Sequence, residues 1–169
     1  MKLLSTILLC ITFIKSTSAC DCNYGGPFLT MAPNTNLVAL VKVTKFLTFK
    51  NIYDSKTPMS MEVEIIEIYR GIETRKKLIV WGDPGNLCRP YLSQFKERQY
   101  YVIAFDQGYP NYGNDGEKLT DYSISNCGAF WLSADMSKKT AFGDVDSKDQ
   151  QFRTITLEKL RVALKTNGS

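Results

Sequence analysis

A chain of 169 residues, 44% of them hydrophobic, with 21 basic against 17 acidic side chains and no histidine, has room for one ordinary domain with a real core. Its basic residues are scattered, which argues against nucleic acid as a main partner, because neutralising many phosphates takes a concentrated basic face. The absence of histidine removes Ser-His-Asp and Cys-His catalysis and every His-ligated metal site at once. Nor does any glycine-rich phosphate loop occur.

The chain opens on Met1 and Lys2, runs through an apolar stretch from Leu3 to Ile14, and leaves it through Lys15, Ser16, Thr17, Ser18 and Ala19. A basic start, a short apolar centre and a small-residue exit are the parts of a signal peptide, and the run is shorter than the ~20 apolar residues a membrane span needs. Residues 1–19 are therefore expected to be removed, giving a secreted protein with no transmembrane span whose single domain is 20–169. Two lysines and no acid leave with the signal, so the charge balance narrows further.

Of five cysteines, Cys10 falls in the signal. Cys20, Cys22, Cys88 and Cys127 remain, and an even number in an exported chain predicts two disulfides. A bridge between Cys20 and Cys22 would span one residue and strain disulfide geometry. Both other pairings tie the mature N-terminus to Cys88 and Cys127. The Cys-x-Cys spacing followed by two isolated cysteines lacks the paired knuckles of a structural zinc site.

Strands follow in order. Leu37–Phe49 is rich in β-branched and aromatic residues, and Met61–Tyr69 begins with acids alternating against apolar residues, the period of a half-buried strand. Adjacent Ile65 and Ile66 break that alternation, as a β-bulge would. Lys77–Trp81 and Tyr100–Phe105 are short apolar runs followed by turn chemistry at Gly82–Gly85 and Gln107–Pro110, and Leu119–Ile124 is a fifth candidate before Cys127. Asp106–Lys118 reads as a polar connector, the clearest mobile segment and a place where function can sit. Near the end, Leu157, Leu160, Val162, Ala163 and Leu164 predict an amphipathic helix with Thr156 as N-cap and Glu158 in its first turn. The fold class expected is mainly β: a five-stranded, closed or partly closed antiparallel barrel with a C-terminal helix and two disulfides.

No spacing singles out a carboxylate pair or any other catalytic set, so a non-enzymatic role without a cofactor is expected. The chemistry that stands out is the mature terminus, Cys20-Asp21-Cys22. A terminal α-amine titrates near ~8, is partly neutral at physiological pH, and when held rigidly beside a carbonyl is a chelator.

A terminus that starts Cys20-Asp21-Cys22, a strand of the form Leu37-Val38-Ala39-Leu40-Val41-Lys42-Val43, one cysteine after the third strand and a last one after the fifth resemble the N-terminal domain of the tissue inhibitors of metalloproteinases. That domain is the netrin-like module, a five-stranded OB-type barrel. Val63–Gly71 followed by Lys77–Trp81 is similar to the single-domain members of the group. The resemblance implies disulfides Cys20–Cys88 and Cys22–Cys127. It also implies a protease-binding strip of Cys20, Asp21, Cys22 and Asn23, in which the amine and carbonyl of Cys20 chelate the zinc of an extracellular metalloproteinase. Asp21 would then enter the specificity pocket beside that zinc, where burying an unpaired carboxylate is costly. Netrin-like modules also serve purely as protein-binding domains, which gives a second expectation, binding of another secreted protein by the barrel face or the 106–118 loop. Thr17-Ser18-Ala19-Cys20 loosely resembles a lipidation site, and acylation of Cys20 would anchor the protein at the cell surface and abolish chelation. A monomer is expected in every case. Asn167-Gly168-Ser169 is a glycosylation sequon at the extreme C-terminus.

Overall fold

The computed structural model describes residues 22–52, 54–111, 113–147 and 151–166; the signal segment, Cys20, Asp21 and the Asn167 sequon lie outside them. A short helix α1 (Phe28–Met31) leads through a 3-10 turn into β1 (Leu37–Ile52) and β2 (Ser55–Arg70). Six strands follow: β3 (Lys77–Trp81), β4 (Tyr100–Gln107), β5 (Tyr122–Ser123), β6 (Trp131–Asp135), β7 (Thr140–Gly143) and β8 (Arg153–Thr156). Helix α2 (Leu157–Thr166) ends the described chain.

The first five strands close into a barrel. β1 pairs with β2, β2 with β3, β3 with β5, β5 with β4, and β4 returns to β1, the ring order of an OB-type barrel. One pair departs from the all-antiparallel expectation: β3 and β5 run parallel, through Val80 opposite Tyr122 and Trp81 opposite Ser123. A ring of five cannot alternate direction all the way round, so one parallel seam is unavoidable.

The bulge expected at the paired isoleucines is present. Leu40 lies opposite Glu67 and Val41 opposite Ile65, which leaves Ile66 without a partner across the ladder and exposed on the outer surface. Similar shifts recur along the β1–β2 ladder, and each adds the twist that lets two long strands wrap a small barrel. The hairpin itself is longer than its apolar patterning indicates, because Lys50, Asn51 and Ile52 pair with Thr57, Lys56 and Ser55 beyond the core.

The expected fifth strand, 119–124, is reduced to Tyr122–Ser123, since residues 119–121 form a turn that Asp121 organises. Its continuation was not foreseen. Past Cys127 the chain rejoins the same edge of β4, with Trp131 opposite Ile103 and Leu132 opposite Val102, so β5 and β6 are two halves of one strand from which residues 124–130 bulge out. β7 and β8 then extend the sheet by antiparallel pairing. They are short and carry Thr, Gly and Arg, so no apolar alternation announces them.

Fully buried Val38, Val41, Met61, Val63, Val80, Val102 and Phe105 belong to one continuous core, which Phe28 of α1 and Leu160 and Leu164 of α2 complete. The Thr156 hydroxyl accepts from the Lys159 N–H at 3.3 Å, the N-cap expected, and Arg161 bonds Glu67 on β2 at 3.0 Å. Among the described residues no helix is long and apolar enough to cross a membrane. Truncating Leu160 to Ala is expected to cost about 2–5 kcal/mol, the usual range for a buried leucine, measured by urea unfolding. A cost under about 1 kcal/mol would mean that α2 is not part of the core.

Candidate functional site

The described residues that precede the barrel are held to it at several points. Cys22 is bonded to Cys127, a bridge between positions 105 residues apart with Cα atoms 5.5 Å apart. In the chain-entropy model a loop of that length is worth about 4–5 kcal/mol at most. Beyond the bridge, the strip from Gly25 to Leu29 is gripped on two sides. Gly25 N–H donates to the Cys127 carbonyl at 2.9 Å and Ala129 N–H to the Gly26 carbonyl at 3.0 Å. On the other flank, Phe28 and Leu29 N–H donate to the Asp144 and Val145 carbonyls, both at 2.9 Å. Gly128, at φ +152°, fits because a Cβ there would lie 3.1 Å from the Gly26 oxygen, so the two segments pass with nothing between them.

Tyr24 fastens the strip once more, its hydroxyl donating to Oδ2 of Asp144. Burial, and then the hydrogen bond to and charge of Asp144, push the Tyr24 phenol well above its ordinary value. Cys22 and Asn23 are exposed, as is much of the Tyr24 ring. Of the protease-binding strip expected from sequence, Cys20 and Asp21 lie outside the described residues, so Cys22 and Asn23 are its described part.

Cys88 joins the same end of the barrel. Its carbonyl accepts from Asn126 N–H at 2.9 Å, and the sulfurs of Cys22, Cys88 and Cys127 all lie within 4.8 Å of one another. Because Cys22 and Cys127 are bonded to each other and Cys88 is itself disulfide-bonded, its partner falls outside the described residues and the trio is a bridge cluster, not a metal-ligand set. The implied Cys22–Cys127 pairing is the one seen; for Cys20–Cys88 one member is not described.

The described residues of the loop after β4 are tied down by hydrogen bonds that its reading as a mobile polar connector did not include. The Glu117 side chain is fully buried and takes both arms of the Arg89 guanidinium, at 2.8 and 2.9 Å. It also accepts the N–H groups of Tyr109 and Asn114 at 2.8 and 3.0 Å, while the Asn114 side chain donates to the Gly82 carbonyl. Asp121 then links the loop to the barrel seam, accepting from the Trp81 indole N–H at 2.9 Å and from Lys118 N–H at 3.0 Å. Facing it, Asp83 Oδ1 collects the N–H groups of Gly85, Asn86 and Leu87, which shapes the β3–β4 loop that carries Cys88. Tyr109 and Leu119 remain exposed on this framework.

Burial works to raise the Glu117 carboxyl, but Arg89 and the two backbone donors outweigh it and hold the group below the ordinary carboxylate range. Glu73, bonded first by Arg75 and also by Tyr122, is held at about 2. Asp106 moves the other way, since burial raises it more than nearby Arg89 lowers it. The long-range partners, Arg89 and Glu117, Trp81 and Asp121, and Tyr24 and Asp144, were not visible in sequence because they are far apart along the chain. The one local hint is that Arg89 directly follows Cys88.

Two outcomes are expected. Glu117 and Glu73 have folded-state values below their unfolded ones, so their stabilisation is complete above the unfolded value near ~4 and is lost as pH falls through the folded values. Acid unfolding followed by circular dichroism should therefore begin below about pH 4 and become less steep in Glu117→Gln. Arg89→Met, which strands a buried carboxylate, should cost about 3–5 kcal/mol in urea unfolding, and a neutral result would show that Glu117 finds another partner. No protein-family model matches this chain, and no curated protein does.

Proposed function

We propose that this chain is an exported, non-enzymatic inhibitor of an extracellular metalloproteinase, acting through its N-terminal strip. One observation carries the reading: residues 22–29 are locked to the barrel by the Cys22–Cys127 bridge and flanking backbone hydrogen bonds, while Cys22 and Asn23 stay exposed. A strip whose ordering cost is already met in the free protein loses little entropy when it enters a cleft. The OB-type ring and the position of Cys88 beside the bridge support the same family resemblance. In this reading Cys20 offers its amine and carbonyl to the open coordination position of a catalytic zinc, and Asp21 selects a protease whose adjoining pocket supplies a hydrogen-bond donor or a cation.

A second reading, a netrin-like protein-binding module, is favoured by the 106–118 loop, whose buried Glu117 presents Tyr109 on an ordered platform. A single pair of constructs separates the two. Adding one alanine before Cys20 blocks the α-amine and is expected to abolish inhibition across a metalloproteinase panel; inhibition that survives the extension would rule out zinc chelation by Cys20. Shortening the loop tip between Tyr109 and Gly116 should leave inhibition intact under the first reading and weaken partner capture under the second.

A further inference from the structure

On the flank of the N-terminal strip, between it and the β6–β7 hairpin, lies a cavity of about 270 Å³ walled by four aromatic rings, Tyr24, Trp131, Phe142 and Phe152. Phe142 and Phe152 meet edge to face at 5.7 Å and are 49% and 67% exposed, with Tyr24 at 41%. Folding normally hides such rings, yet here they stand open around a hollow. The remaining wall includes Asp144, a residue only 6% exposed.

Asp144 is the unusual member. Its Oδ2 accepts the Tyr24 hydroxyl, while Oδ1 is buried and has no hydrogen-bond partner among the described residues. No Lys or Arg lines the cavity among the described residues. A carboxylate taken out of water and answered, among the described residues, by a phenol alone keeps negative charge uncompensated there, and in surroundings of low dielectric that field reaches further than it would in water. Aromatic faces carry negative potential of their own and attract cations, most strongly when the cation is desolvated. Walls and floor thus favour the same kind of guest.

We infer that this cavity is a binding site for a small alkylammonium ligand, seated among Tyr24, Trp131, Phe142 and Phe152 above the Asp144 carboxylate. The volume lies just below the range usual for drug-sized ligands, which suits a head group such as trimethylammonium better than a large molecule. This inference is independent of the N-terminal inhibitor reading, since it needs neither Cys20 nor a free α-amine.

The two tryptophans make the test internally controlled. Trp131 is a wall of the cavity, whereas Trp81 is buried at the barrel seam with its indole N–H on Asp121. Titrating the mature, disulfide-intact protein with choline should move the Trp131 indole N–H resonance and leave that of Trp81 in place. The neutral isostere 3,3-dimethylbutan-1-ol, matched in shape, should bind at least tenfold more weakly. Asp144→Asn, which keeps an acceptor for Tyr24, should weaken choline at least tenfold, as should Phe152→Ala, an exposed position where folding is not at stake. Equal affinity for choline and its neutral isostere, unchanged binding in both variants, or no response of Trp131 would each overturn the site. Co-sedimentation with phosphatidylcholine vesicles that Asp144→Asn abolishes would place the ammonium in a lipid head group. Binding of free choline without co-sedimentation would place it in a soluble ligand.

Discussion

The Cys22–Cys127 bridge joins the first described residue to the loop that interrupts the fifth strand of the barrel, and much of the molecule is arranged around that junction. Because residues 124–130 bulge out between β5 and β6, Cys127 is carried away from the ladder to where Cys22 can reach it. The same excursion brings Asn126 to the Cys88 carbonyl and Ala129 to the Gly26 carbonyl, so one break in a strand gathers the N-terminal strip, the β3–β4 loop and the sheet extension at a single end of the barrel. A covalent link secures what a short strip of backbone bonds would leave prone to fraying.

Around this end, polar groups do work that apolar packing does elsewhere. The interior is a continuous cluster of Val, Leu, Ile and Phe, but the surrounding loops are held by buried carboxylates, each with several donors: Glu117 with Arg89 and two backbone N–H groups, and Asp121 with Trp81 and Lys118. Such networks specify geometry more than they add stability. Loops and strip held in this way have little conformational freedom left to lose in any contact made there.

What the sequence made legible follows from which signals are local. Strands β1 to β4 and helix α2 announce themselves through apolar periodicity and capping, and Ile65-Ile66 marks a bulge because two adjacent apolar residues cannot both face one core. β6 to β8 stayed hidden because they are short and half polar, and β7 and β8 pair outside the barrel. The 106–118 loop looked mobile because its composition is that of a solvated connector; its order depends on Arg89, more than twenty residues earlier, and no pattern within the loop encodes that partner. Tyr24 and Asp144 are likewise an ordinary aromatic and an ordinary acid until the fold places one on the other.

The parallel seam between β3 and β5 closes the barrel through just two residue pairs, whereas the β1–β2 ladder runs nearly the full length of two sixteen-residue strands. The wall of the barrel is therefore uneven, a broad curled sheet shut by a narrow clasp, with the Trp81–Asp121 bond as its catch. At β5, which has two pairs to β3 and two to β4, the barrel can open with the loss of the fewest ladder pairs. The first water to enter the core would then pass beside Trp81, whose indole N–H the Asp121 carboxylate holds.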